Sequence, residues 1–159
     1  MFNFFKKKKQ NPHIEEEKKV QKFPELEVKK NFDLSTPESC VKEFIEFYEE
    51  WNNWAISLPE SAMSESEIIA KTYEKIITAI CHSSVVPQGV SFGDDCMHTK
   101  ENENIIKVET SDQGSIVFTI QKDSFNFISE YEYHLLEEDG KWRIKSLKYV
   151  SEDGKYESL

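Results

Sequence analysis

Cys81, His82, Cys96 and His98 are residue types that bind zinc. Their spacing does not favour one ion: Cys81 and His82 are adjacent near a helix end and cannot easily aim at the same point. A buried cysteine acting as a small hydrophobe is the commoner arrangement. Nucleophilic catalysis by serine or cysteine needs a base and an orienting group within reach. His134 falls on a strand, on its polar side. No Gly-x-Ser-x-Gly elbow, Walker loop or dinucleotide fingerprint is present, and five glycines leave few phosphate-cradling loops. No metal and no cofactor is expected.

The other chemistry the residues offer is charge. Residues 1–31 hold nine Lys against five Glu, a net of +4. Residues 32–159 hold eleven Lys and Arg against 25 Asp and Glu, a net of −14. Such a body repels phosphate backbones, which excludes nucleic acid as the main ligand. It favours a basic partner and faster encounter with it; solubility alone is the simpler account of acidity. Asp94 and Asp95 in a loop, and Glu130 and Glu132 on a strand, are the candidate partner-binding residues. On a sheet surface the two glutamates can equally be ordinary ion-paired groups, each pair worth about 0–1 kcal/mol.

Three scattered cysteines imply no disulfide framework and a reducing, cytoplasmic setting. No apolar run approaches the roughly 18 residues of a membrane span. Phe2, Phe4 and Phe5 precede Lys6–Lys9, the wrong order for a secretory signal. Residues 1–31 read as a flexible charged segment, and 32–159 as a single domain. A membrane-surface anchor built from the three Phe and four Lys is the sharper reading of that segment; membrane contact is not the expected one.

Elements follow from period and punctuation. Thr36 is an N-cap, Pro37 suits the first turn, and Val41, Phe44, Ile45, Tyr48, Trp51 and Ala55 recur at helical spacing up to Leu58-Pro59. Ser64 and Glu67 form a capping box for a second helix over 64–82, with Ile69, Tyr73, Ile76, Ile77 and Ile80 as its stripe. Residues 83–103 read as loop. Four strands are expected over 104–110, 114–121, 125–137 and 141–150, with a turning, frayed tail after them. Asp139-Gly140 predicts a two-residue hairpin turn. Strict pairing from Glu138–Lys141 sets Leu135 opposite Ile144, Tyr133 opposite Ser146 and Tyr131 opposite Lys148. Glu130, Glu132, His134, Arg143 and Lys145 then share the outer face. Two helices followed by antiparallel strands give an α+β class, with the helices packed in a curved sheet.

Three stretches carry a resemblance. They are Ser35-Thr36-Pro37-Glu38-Ser39-Cys40-Val41-Lys42-Glu43-Phe44; Ser91-Phe92-Gly93 followed by Glu103-Asn104-Ile105-Ile106-Lys107-Val108; and Tyr131-Glu132-Tyr133 with Asp139-Gly140-Lys141-Trp142-Arg143-Ile144. Over residues 33–150 the chain resembles the immunity-protein branch of the nuclear transport factor two-like superfamily. Asp94-Asp95-Cys96-Met97 stands where that family often has prolines and a Tyr-Asp pair. The resemblance implies a cone-shaped fold and a non-enzymatic bacterial protein that binds and neutralises a cognate polymorphic toxin. Cones of this kind elsewhere hold an acid–base pair, so an isomerase- or dehydratase-like site using Tyr48, Tyr131, Tyr133 and His134 is the enzymatic alternative. A scaffold or adaptor that dimerises through its sheet is another, and a homodimer is open.

Overall fold

Helix α1 (Pro37–Ser57) starts where the Thr36 side chain accepts from the Ser39 N–H at 3.0 Å and Ser39 Oγ accepts from the Thr36 N–H at 3.1 Å. Orphan amides of the first turn are thereby satisfied. The helix stops at Leu58, followed by Pro59. Its apolar stripe is the centre of the core: Val41, Phe44, Ile45, Tyr48, Trp51 and Ala55 are all buried. The computed structural model describes residues 23–63 and 66–159; the lysine and Phe cluster of residues 1–22 and the Ser64 cap lie outside the described residues.

A short α2 (Glu60–Met63) precedes α3 (Ser66–Ile80), which packs against α1. Five strands follow: β1 (Glu103–Ser111), β2 (Gly114–Lys122), β3 (Ile128–Glu138), β4 (Lys141–Ser151) and β5 (Gly154–Glu157). They form one open antiparallel sheet in sequence order, with β1 and β5 at its edges. The class is α+β, with two main helices and a five-stranded sheet. Gly114, at φ +132°, is required where β2 begins, because a Cβ there would sit 2.5 Å from the Leu135 carbonyl oxygen.

The β3–β4 turn is the expected one, with Asp139 and Gly140 both at positive φ, 53° and 71°. Beyond Leu135–Ile144 the register departs from strict pairing. Tyr133 faces Leu147 and Tyr131 faces Tyr149, not Ser146 and Lys148. Lys145 is an extra residue in β4, a bulge that shifts the face of everything after it. Strict pairing would have turned a serine and a lysine toward the core. The bulge instead turns in Leu147, which is fully buried, and sets the Tyr149 ring, still 38% exposed, 5.8 Å from that of Tyr131. Arg143 is also not on the outer surface: its Nη1 donates to the Ala79 carbonyl at 2.6 Å, neutralising the C-terminal end of α3.

Both ends of the described stretch from residue 23 to 159 pack more than the sequence suggests. The tail after β4 is not frayed; β5 pairs with Lys148–Ser151, and Leu159 is buried. Residues 23–31, placed in the appendage by composition, lie against the core through Phe23, Leu26 and Val28. Trp54 Nε1 donates to the Pro24 carbonyl at 2.9 Å, and Lys29 pairs with Glu43 at 2.8 Å. Among the described residues, no helix is long and apolar enough to cross a membrane.

Candidate functional site

The inner face of the sheet carries polar groups where α1 covers it. Along β2 the buried row runs Ser115, Val117, Thr119, Gln121, so one strand sends three polar side chains inward. Glu103 of β1 meets them. Its Oε1 accepts from Thr119 Oγ1 at 2.6 Å and from the Tyr133 hydroxyl at 2.8 Å. Its Oε2 lies 2.7 Å from Nδ1 of His98. Three adjacent strands and the preceding loop thus converge on one carboxylate, and Glu103, His98, Thr119 and Tyr133 are all buried.

Burial, reinforced by the charge of Glu103, pushes the Tyr133 phenol well above its ordinary pKa and raises Tyr131 to about 12. Both are therefore held as neutral phenols, and Tyr133 is fixed as a donor. Nε2 of His98 has no hydrogen-bond partner among the described residues. Its imidazole is walled in by Tyr131 at 4.7 Å, Tyr48 at 4.9 Å and Phe44 at 5.8 Å between ring centroids. A Glu–His pair of this kind can relay a proton only to a group that reaches the free nitrogen. With His98 fully buried, its present work is to tie β1, β2 and β3 into one register.

Of the candidate acid–base residues, Tyr48, Tyr131 and Tyr133 gather around His98, whereas His134 lies apart on the outer face, 3.1 Å from Glu132. The Tyr48 hydroxyl donates to the Ser91 carbonyl at 2.9 Å. Asn52, buried on the same helix, pairs with both backbone groups of Gly93 at 2.9 and 3.0 Å. These bonds pin Ser91-Phe92-Gly93 to α1. The four candidate zinc ligands are not brought together, and no cluster of three or more suitable ligands exists among the described residues. Cys81 is buried beside Ile144, and Cys96 Sγ donates to the His98 carbonyl.

A second polar cluster sits at the far end of the sheet. His82 Nδ1 lies 2.8 Å from Ser84 Oγ, Lys145 also reaches that oxygen, and Glu138 accepts from Ser83. The residue types suggest a nucleophile and base. The Ser84 N–H, however, points at the same Nδ1 at 3.2 Å, and Glu138 also accepts the Ser83 N–H at 3.3 Å. This is a turn after α3 clasped to the β3–β4 hairpin.

The candidate partner-binding residues separate into two kinds. Asp94 and Asp95 are exposed, in the loop whose Cys96 carbonyl accepts from Gln121 Nε2 at 3.1 Å. That contact sets them at the end of the sheet where β2 turns into β3. Glu130, also exposed, begins its run in β3 at the same end. Glu132 is buried, with Oε1 accepting from Lys155 at 2.6 Å and Oε2 facing His134. Sequence reading took His98 as a possible zinc ligand, not as the partner of Glu103, and missed Glu103 and Thr119 as site residues. A usable signal was the phase of β2, where Thr119 and Gln121 share the face of Val117.

Comparison with family models, with curated proteins and with solved structures gives no match.

Proposed function

We propose that this α+β layout is a nuclear transport factor two-like cone, and that the protein is a bacterial immunity protein. On this reading it binds a basic polymorphic toxin domain one to one and neutralises it by occlusion, without turnover, in the cytoplasm. The observation that carries the non-catalytic part is the burial of the whole Glu103–His98–Tyr133 centre under Phe44, Tyr48 and Tyr131. The interior is occupied by the protein's own side chains, so the exterior is the surface left for recognition. The −14 charge of residues 32–159 supports a cationic partner. The sequence resemblance over 33–150 supplies the toxin.

The test is co-expression with the toxin domain that this reading expects a neighbouring gene to encode, with protection titrated against the ratio of the two proteins. Occlusion requires protection to fail once toxin exceeds antidote. Protection persisting at a small fraction of one antidote per toxin would overturn it and favour the acid–base alternative.

A further inference from the structure

Among the described residues, large apolar side chains are exposed at Val86, Ile106, Phe125, Phe127, Ile128, Tyr149 and Tyr156. Val86 and Ile106 stand singly, and Tyr149 and Tyr156 face each other across β4 and β5. Isolated exposed apolar residues are ordinary on a protein surface; a contiguous group is not. Three exposed apolar residues fall within four consecutive positions here: Phe125 and Phe127, 76% and 71% exposed in the loop joining β2 to β3, and Ile128, 62% exposed at the start of β3.

The loop is built to hold them there. Asp123 Oδ1 accepts from the N–H groups of both Phe125 and Phe127 at 2.8 Å. The Asp123 N–H donates to the Phe127 carbonyl at 3.0 Å, and the Asn126 N–H to the Asp123 carbonyl at 3.1 Å. Asn126 sits at φ 67°, a conformation asparagine adopts more readily than most residues. Four hydrogen bonds therefore fix a short loop whose outward groups are aromatic. Rigid aromatic side chains on a preorganised loop lose little entropy on binding, the property of an interface anchor.

Charge decides what they meet. Asp94, Asp95, Glu101 and Glu130 are exposed at this end of the sheet; of the cations, Lys100 beside Glu101 pairs with Glu46 at 3.7 Å, and Lys122 adjoins the loop, its N–H donating to the Asn102 carbonyl. An apolar centre with an acidic surround repels anionic lipid and repels a second copy presenting the same face. It complements an apolar pocket rimmed by Lys and Arg.

We propose that the loop over residues 123–127 is the docking anchor of this protein. Phe125 and Phe127 enter an apolar pocket on a partner protein, and the surrounding carboxylates meet cationic groups at its rim. The assignment rests on the proposed function for the partner's identity as a basic toxin domain.

The probe is a catalytically inactivated form of the toxin domain that the proposed function expects a neighbouring gene to encode, with binding kinetics measured on the full chain. Phe125→Ser/Phe127→Ser should weaken binding by at least about 30-fold, mainly by faster dissociation, because truncating anchors acts there. Asp123→Ala, which removes the brace, should weaken it less, and Asp123→Asn, which keeps an acceptor, should restore it. Val86→Ser, at the opposite end of the sheet, should leave binding unchanged. Failure of the wild-type protein to bind that domain overturns the proposed function and this assignment with it. Wild-type binding with an unaffected double Phe variant leaves the function standing and overturns the anchor alone. The commitment to a protein partner is overturned by either of two behaviours that the double variant abolishes: sedimentation with mixed phosphatidylcholine–phosphatidylglycerol vesicles, or formation of a dimer in light scattering.

Discussion

Two regions of this protein invert the usual sorting of side chains, in opposite directions. Around Glu103 a carboxylate, an imidazole, a hydroxyl and a phenol are buried together. At Phe125–Ile128 three apolar side chains stand in solvent. The interior inversion is largely compensated within the molecule, since three donors converge on one carboxylate; among the described residues of this inner face, His98 Nε2 and Gln121 Oε1 are left without a partner. The exterior one has no compensation inside the molecule; the loop's hydrogen bonds stabilise its backbone and leave the rings unpacked. The first arrangement belongs to folding and the second points outward. Changes to the interior should therefore register in stability, and changes to the loop in binding.

The largest expected effect comes from the interior. Glu103→Ala removes the common acceptor of Thr119, Tyr133 and His98 and leaves all three buried without it. Each buried donor left without its acceptor costs about 1–3 kcal/mol, so the variant should lose at least about 3 kcal/mol. Thr119→Val deletes a single donor and should cost about 1–2 kcal/mol. Urea unfolding at neutral pH measures both. If Glu103→Ala unfolds within about 1 kcal/mol of wild type, the polar centre does not hold the strands together, and the contrast between the two regions collapses.

Much of the scaffold was legible because its signals are local. Thr36-Pro37 and Leu58-Pro59 mark both ends of α1, and Asp139-Gly140 fixes the β3–β4 turn. The bulge at Lys145 was not legible, because no turn residue marks it; it exists to bring Leu147 under α1, a tertiary demand. The β5 strand was hidden by its brevity, four residues with little alternation. The pairing of His98 with Glu103 escaped for a related reason. The two residues lie at the end of a loop and the start of a strand, and acquire their roles only when Thr119 and Tyr133 arrive from elsewhere in the chain. The loop at Phe125 was read as strand because its residues are aromatic, while the element that stops the strand is the side chain of Asp123.

A smaller effect tests the outer face. Burial pushes the Glu132 carboxyl upward, but hydrogen bonds from Lys155 and His134, with their charges, outweigh it and hold the group below its ordinary pKa. A carboxyl lowered by folding contributes stability above its unfolded-state pKa, about 4.3, and loses it as pH falls through the lower folded value. Lys155→Met should therefore be destabilising by less than about 1 kcal/mol at pH 7, and the difference should shrink as pH drops below about 4. A deficit of equal size at pH 7 and pH 3 would mean that Lys155 acts by packing and that Glu132 is not held by charge.

The smallest expected effect is the most informative about the loop. Phe125 and Phe127 bury little of their surface, so Phe125→Ser/Phe127→Ser has almost no folded-state contact to lose. Exposed substitutions of this kind change stability by less than about 0.5 kcal/mol. The backbone bonds to Asp123 involve main-chain N–H groups at both positions and survive the change. Thermal melting of the variant should overlay wild type within about 2 °C. A loss of several degrees would show that the rings pack against the protein in solution, turning the loop from an outward anchor into part of the core. Unchanged melting with weakened binding would separate the two regions as the comparison requires: one inverted surface used to fold, the other to hold something else.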